Sequence, residues 1–317
     1  MADTTPIAAL PPVAAAAVAP APHGSAAMPL PDILPPVKDR RGLRGFIYRH
    51  PTMAIGGFLL LALLFVAVFA PLLGTGDPNA IAPANRNQEP SAQHWFGTDA
   101  FGKDIYARVL YGARISLIVG FAVAILSSLA GLVIGLVSGF IRWTDGIIMR
   151  VMDGLMSIPS ILLAVALMAL TRASVENVVM AITVAEIPRV SRLVRGVVLS
   201  LREQPFVDAA IAAGTSTPRI IWRHILPNTI APLTVQATYI CASAMITEAI
   251  LSFIGAGVPP TIAPSWGNIM ADGRALWEVK PYIIFFPAVF LSLTVLAVNL
   301  LGDGLRDAVD PRMAKRL

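Results

Sequence analysis

The sequence predicts an all-α integral membrane protein with six transmembrane helices and with both termini in the cytoplasm. Three observations predict this fold: an apolar composition, several long runs without a charged residue, and an uneven distribution of Lys and Arg. Hydrophobic residues make up 56% of the 317 residues, charged residues only 14%, and the mean hydropathy is +0.71. Such a chain is expected to place its apolar surface in lipid rather than in a soluble core.

The charge-free runs give the spans in order. A helix needs about 20 apolar residues to cross a bilayer, and four runs exceed this length: residues 51–76, 115–141, 225–247 and 281–302. A fifth span is predicted at residues 154–171, which form a shorter run that contains Pro159. A sixth is predicted at residues 173–190, although Glu186, Pro188 and Arg189 interrupt it. Four glycines of the second predicted span are expected to let helices pack closely: Gly120, Gly131, Gly135 and Gly139.

The distribution of basic residues gives the orientation. With the N-terminus inside and six spans, 17 of the 24 Lys and Arg residues fall on the cytoplasmic side, as the positive-inside rule requires. The net charge of +5 and the pI near 9.7 are therefore interpreted as a topology signal, and no nucleic-acid partner is expected. The single cysteine, Cys241, lies within a predicted span and is expected to pack as a small apolar residue.

The N-terminal 45 residues differ from the rest of the chain. Residues 1–37 contain nine of the 26 prolines and no Lys or Arg, which is typical of a disordered tail and not of a signal peptide. A basic cluster at Lys38, Arg40, Arg41 and Arg44 follows, and we expect it to contact anionic membrane lipid.

A polar segment between two predicted spans, Asp208–Pro227, has the features of a docking element. It reads DAAIAAGTSTPRIIWRHILP. Its alanines predict a short helix with a smooth face, and Gly214 is suited to end that helix in the left-handed conformation. Thr-Pro at residues 217–218 predicts the N-cap and first residue of a second helix, and Pro227 is expected to end it before the next span. A partner protein is expected to bind this segment.

The spacing of these residues resembles the EAA loop of the membrane subunits of bacterial ABC importers, in which the loop forms the coupling helix that docks on the cytoplasmic ATPase. Asp208 stands where Glu is usual, and His224 stands where Ile is usual. The sequence His-Ile-Leu-Pro-Asn at this place is typical of the peptide-importer branch. The resemblance assigns ATPase coupling to Asp208, Ala209, Ala210, Gly214, His224, Leu226 and Pro227.

Three further stretches resemble the C-type permeases of dipeptide and oligopeptide importers: residues 94–117, 145–163 and 249–270. The resemblance covers about residues 40–312 and implies the type I ABC importer transmembrane fold. It divides the chain into a tail (1–45), a first transmembrane helix with an external loop (46–110), a five-helix core with a coupling loop at 203–227 (111–303), and a cytoplasmic C-terminal tail (304–317). The glycines and prolines of residues 249–270 predict that the span beginning at residue 225 ends near Phe253.

Residues 97–103 nearly match a nucleotide-binding P-loop, but Asp104 occupies the position that needs Ser or Thr to bind magnesium. We therefore expect a capped turn that leads into a surface-lying helix before the second span. We find no catalytic constellation, no cofactor site and no metal site in the sequence: the four His residues are scattered, and Cys241 has no partner.

The resemblance implies a permease that imports dipeptides or oligopeptides across the bacterial inner membrane. Its implied partners are a homologous second permease in a heterodimer, two cytoplasmic ABC ATPase subunits that hydrolyse ATP, and a periplasmic or extracellular peptide-binding protein. A related permease for nickel or glutathione stays open as an alternative. Of the other classes, an ion-coupled secondary transporter needs ionisable groups deep in its spans, and an intramembrane enzyme needs a nucleophile and base or metal ligands.

The ionisable residues near the spans are the remaining candidates for function. Glu248 has two interpretations: it lines the translocation path near the point of substrate entry, or it anchors the following loop through hydrogen bonds. Asp153, Glu186 and Arg189 are expected to pair with other residues of the protein or to lie at the ATPase surface, since charges in hydrocarbon are costly.

Overall fold

Helices account for all the long elements of the structure, which is a computed structural model that describes residue 47 and residues 49–309. The predicted tail at 1–45 with its basic cluster, and residues 310–317, lie outside the described residues. Within residues 49–309 the β-structure consists of one isolated bridge between Thr98 and Asp104. The α-helices, in chain order, are α1 (Pro51–Phe69), α2 (Ile105–Phe140), α3 (Arg142–Met156), α4 (Ser160–Ala169), α5 (Val175–Arg202), α6 (Pro205–Ala212), α7 (Thr217–Ile220), α8 (Leu226–Phe253), α9 (Trp266–Gly273) and α10 (Tyr282–Val309).

Four helical segments among the described residues are long and apolar enough to cross a membrane. They are Pro51–Leu72, Ile105–Phe140, Thr217–Phe253 and Tyr282–Ala308. Each contains most or all of one of the four charge-free runs, so these predicted spans are confirmed as helices. The predicted end of α8 near Phe253 is also confirmed.

The span predicted at residues 154–171 is not one straight helix. Residue 154 lies inside α3, and α3 and α4 are bent by 86° at the break between Met156 and Ser160. Pro159 explains the break, because a proline removes a hydrogen bond and restricts the residue before it. Together the two helices are long and apolar enough for one broken span or for a re-entrant loop.

Helix α5 is a single helix of 28 residues that extends well beyond the predicted span at 173–190. It carries charges because α3 supplies their partners. Arg195 Nη2 donates to Asp145 Oδ2 at 2.6 Å, and Arg192 Nη2 donates to Asp153 Oδ1 at 2.5 Å. The expected pairing of Asp153 within the protein is therefore confirmed.

Helices α2 and α5 pack closely through the predicted glycines. A Cβ atom placed on Gly135 would lie 2.6 Å from Val194 Cβ and 2.7 Å from the carbonyl oxygen of Ser191. One placed on Gly139 would lie 2.8 Å from Val198 Cβ. Since real Cβ contacts are not this short, glycine permits the approach of the two backbones.

We therefore expect Gly135→Leu to lower the free energy of unfolding by about 1–3 kcal/mol or more, the range found for overpacked cores. The measurement is the thermal unfolding midpoint of the detergent-solubilised protein. Gly146→Leu is the matched control, because nothing lies within 4 Å of a Cβ atom at that exposed position of α3. Equal midpoints for the two variants would contradict the packing role of Gly135.

Residues 77–104 and helix α9 form a cap over one end of the helices. The predicted capped turn is confirmed: Asp104 Oδ1 accepts a hydrogen bond from the backbone of Ala107 at 2.9 Å and begins α2. The prediction of a separate surface helix was wrong, because α2 runs without interruption from Ile105 into the span. In α9, Ser265 and Asn268 form a capping box.

Buried polar contacts hold the cap together. Arg108 is fully buried, and its Nη1 lies 2.6 Å from Asp99 Oδ2 and 2.8 Å from Asp272 Oδ2. The Tyr282 hydroxyl lies 2.8 Å from Gln88 O and 3.2 Å from Thr98 O. These ionic and hydrogen-bonded contacts join the two parts of the cap, residues 77–104 and α9, to α2 and α10.

Candidate functional site

The segment at residues 203–227 begins with helix α6, whose end is built as the sequence predicts. Gly214 has a φ of +72°. Its N–H donates to Ile211 O at 2.9 Å, and the N–H of Thr215 donates to Ala210 O at 3.0 Å. This pair of bonds is the Schellman motif, in which a left-handed residue satisfies the last carbonyls of a helix. Nothing lies within 4 Å of a Cβ atom at Gly214, so only the backbone conformation requires glycine there.

The second half of the segment differs from the prediction. Ser216, not Thr217, is the N-cap of α7, and its side chain makes no capping hydrogen bond. Pro227 does not end the unit, because α7, a π-helical turn at Ile221–Ile225 and α8 follow each other directly, and Thr217–Phe253 is one candidate span of 37 residues. Pro227 lies in the first turn of α8, where a missing N–H group is tolerated.

Three buried residues of the segment are part of the hydrophobic core of the helices: Val207, Ile220 and Ile225. The opposite side is exposed and combines small with large apolar residues. Asp208, Ala209, Gly214 and Pro227 are exposed, and Ala210, His224 and Leu226 are partly exposed. Phe206, Ile211 and Trp222 are also exposed. The seven residues predicted for coupling thus share one surface segment, and an apolar exposed patch of this kind is typical of a protein contact.

A groove of about 590 Å³ separates this segment from the end of α2. Its lining residues are Phe140, Arg142, Arg202, Glu203, Asp208 and Ile211. Arg202 Nη1 donates to Phe140 O at 3.4 Å, where the partial negative charge of a helix C-terminus favours a cation. The last turn of α5 therefore braces both the end of α2 and the beginning of the exposed segment.

Glu248 lies in the interior of the described structure rather than on its surface. It is fully buried and accepts hydrogen bonds from Ser252 Oγ at 2.7 Å and Ser116 Oγ at 3.3 Å. Ser252 Oγ in turn accepts a bond from the backbone N–H of Val258 at 3.1 Å. These contacts join α2, α8 and the loop after α8, which favours the interpretation of Glu248 as an anchor.

The sequence does not predict the buried cluster of Asp99, Arg108 and Asp272. No local pattern reveals it, since Asp272 comes from α9, far along the chain. Among the described residues, no group of three His, Cys, Asp or Glu side chains is arranged to hold a metal ion.

The chain matches the family described as the binding-protein-dependent transport system inner membrane component over residues 127–315. The chain belongs to this family. It is therefore an inner-membrane component of a binding-protein-dependent transport system, and the resemblance found in its sequence is confirmed.

Individual relatives agree with the family. A probable peptide ABC transporter permease of Sinorhizobium fredii is 55% identical, over 84% of this chain and 91% of its own. The dipeptide permease DppC of Alkalihalophilus pseudofirmus is 44% identical, over 82% of this chain and 85% of its own. The glutathione permease GsiD of Salmonella typhimurium is 43% identical, over 85% of this chain and 89% of its own.

A solved structure supports the fold of this family member. A chain of the MetNI methionine ABC transporter, in an inward-facing conformation, matches with a TM-score of 0.54 and 20% identity. The match covers 64% of this chain and 96% of that chain. At this identity the similarity shows the helical fold alone.

Proposed function

We propose that this chain is a permease subunit that moves dipeptides or oligopeptides into the cell, driven by ATP that partner subunits hydrolyse. The observation that carries the proposal is the exposed 203–227 segment, which continues without a break into a helix long enough to cross the membrane. The surface that a partner protein would bind is thereby part of the same continuous helical segment as α8. The permease itself performs no chemical step.

In the proposed topology, six spans leave both termini inside. The distribution of Lys and Arg supports this orientation. Helix α5 supplies the remaining span, the fourth in chain order, and its Arg192 and Arg195 form ion pairs with α3. The 203–227 segment then lies in the cytoplasm, and the cap lies outside.

Two ABC ATPase subunits bind the cytoplasmic surface in this proposal, one on each of two homologous permeases. The patch of Phe206, Ile211 and Trp222 supplies apolar contact area, and the alanines of α6 permit close approach. ATP binding draws the two ATPases together, and the 203–227 segment passes that movement to α8. The spans then alternate between inward and outward access, and a peptide-binding protein delivers cargo to the cap.

Glutathione is the second candidate cargo, because the Salmonella relative is named for its transport. Glutathione is itself a tripeptide, so the same kind of path would serve it. An ion-coupled transporter is the candidate from a different class, and it would keep working when the ATPases are absent but stop when the proton gradient collapses.

Affinity purification of the tagged chain from gently solubilised membranes tests the proposal. We expect two ATPases and a second permease to co-purify. Ala209→Arg, on the exposed face of α6, should reduce recovery of the ATPases while keeping the second permease. Ala92→Arg is the matched control, because this alanine is equally exposed in the cap. A stable chain that never co-purifies with an ATPase would contradict the proposal.

A further inference from the structure

Helices α5 and α8 present polar side chains on neighbouring exposed faces. Arg189 of α5 has a side chain that is 41% exposed, and its Cζ lies 5.5 Å from the ring centroid of Tyr239 of α8. Tyr239 is 54% exposed. Gln236 and Ser243, which are partly exposed, lie on the same face of α8, since residues three and four apart on a helix are neighbours.

Tyr239 lies within a candidate membrane span, and Arg189 lies at the depth of a second one, α2. Tyr239 is near the middle of the charge-free run at 225–247. Arg189 directly precedes Val190, whose side chain packs on Gly131 of α2, and Gly131 lies within the charge-free run at 115–141. The polar face is therefore not part of the cap or of the 203–227 segment.

Such a face is not suited to lipid. Charged residues within spans normally face a water-filled cavity or another protein surface. Helix α1 shows the contrast, because its exposed residues are apolar: Phe58, Leu61, Phe65 and Val68. The face formed by α5 and α8 includes exposed Ile246, but its cation, phenol and amide suit the lining of an aqueous path better than a contact with lipid.

The guanidinium group of Arg189 is held in a fixed direction. Its Nη1 donates to Glu186 Oε2 at 3.0 Å, and the Tyr239 ring lies beside it. The side chain of Glu186 is only 3% exposed, so water in contact with this face meets the cation and not its partner. An arginine has five N–H donors, and one such bond leaves donors for a second carboxylate. Arg108 of the same chain shows that one guanidinium can bind two carboxylates, those of Asp99 and Asp272.

We infer that Arg189, with Tyr239 beside it and Gln236 on the same face of α8, lines the translocation path and binds the C-terminal carboxylate of the peptide in transit. This inference rests on the proposed function of peptide import. A peptide of any sequence has this carboxylate, and a guanidinium binds it with paired N–H donors. The tyrosine hydroxyl and the glutamine amide offer further hydrogen bonds that do not depend on the cargo's side chains.

The first experiment measures the local charge in the assembled transporter in proteoliposomes. A cysteine is placed at Tyr239→Cys in a Cys241→Ala background, which removes the chain's single native thiol. We expect this cysteine to react with sulfonatoethyl methanethiosulfonate, an anionic reagent, faster than with the trimethylammonium analogue, after correction for intrinsic reactivity. Adding Arg189→Gln should lower this preference by about threefold or more, since the guanidinium lies 5.5 Å from the centre of the ring that the cysteine replaces. No reaction in any nucleotide state would overturn the inference and indicate contact with lipid or with the second permease.

The second experiment measures transport with binding protein that is fully loaded with a tripeptide. We expect Arg189→Gln to lower the maximal uptake rate by about tenfold or more, the usual effect of losing a charged hydrogen bond. Arg189→Lys should keep a larger share of uptake. ATP hydrolysis stimulated by the loaded binding protein should be unchanged in both variants, whereas a purely structural defect would lower it too.

The outcomes separate this inference from the proposed function. If the wild-type complex takes up no peptide, the proposed function fails. If the wild-type complex transports the tripeptide and Arg189→Gln transports it equally well, only the role of Arg189 fails.

Discussion

Gly214→Val is expected to abolish coupled uptake while the chain still inserts and assembles with the second permease. Gly214 has a φ of +72° and ends α6 in a Schellman motif. A β-branched residue in the left-handed region costs about 1–3 kcal/mol. Relief of that strain would change the angle between α6 and α7. The measurement is peptide uptake and ATP hydrolysis by the same reconstituted complex, in which hydrolysis should continue without uptake.

Gly255→Val provides the matched control. Gly255 has a φ of +87°, and nothing lies within 4 Å of a Cβ atom there, so the substitution adds the same kind of strain at the opposite end of α8. We expect this variant to keep the normal ratio of peptide taken up to ATP hydrolysed. Normal uptake by Gly214→Val would show that the 203–227 segment does not act as the lever.

Arg108→Ala, in the first turn of α2, is expected to cause the largest loss of stability among single changes at the contacts that hold the cap. Asp99 is fully buried, and Arg108 Nη1 is its cationic partner at 2.6 Å. Removal of one member of a buried ion pair leaves an uncompensated charge, which typically costs about 3–5 kcal/mol. Thermal unfolding and limited proteolysis within residues 77–104 measure the effect, and the cap should become susceptible to cleavage.

Two further variants test the origin of that loss. The double variant Asp99→Asn with Arg108→Met should recover part of the stability, because it removes the fully buried charge along with its partner and leaves only Asp272, whose side chain is partly exposed. Lys280→Ala is the control for an exposed pair: Lys280 Nζ donates to Glu89 Oε1 at 2.8 Å and lowers the pKa of that carboxyl group, but the Glu89 side chain is 75% exposed. Exposed pairs contribute little, so a loss for Lys280→Ala as large as that for Arg108→Ala would contradict the argument.

The features that the sequence predicts correctly are those with a local cause. The apolar runs become helices because their length and composition leave few alternatives in lipid. The turn at Gly214 follows from one residue that adopts a positive φ readily. The break near Pro159 has an equally local cause, although the sequence suggested a straight span there.

The features that the sequence does not reveal depend on contacts between distant residues. The span predicted at residues 173–190 is part of a longer helix, α5, whose Arg192 and Arg195 pair with Asp153 and Asp145 of α3, and no local pattern indicates these pairs. The burial of Arg108 depends on Asp272, and the interior position of Glu248 depends on Ser116. Likewise, Pro227 reads as the end of a helix, but the π-helical turn before it lets the helix continue.

The hydrogen bonds of the cap also bear on how fast and how tightly another protein can associate with it. Residues 77–104 are held in one arrangement before another protein binds, by contacts of the Tyr282 hydroxyl, the Asp104 carboxylate and the buried Arg108. Association normally costs the conformational entropy of loops and side chains that become ordered at the interface. Here most of that ordering has already occurred during folding. Binding to the cap should therefore resemble rigid-body docking, with an association rate governed by diffusion and charge rather than by a search among loop conformations.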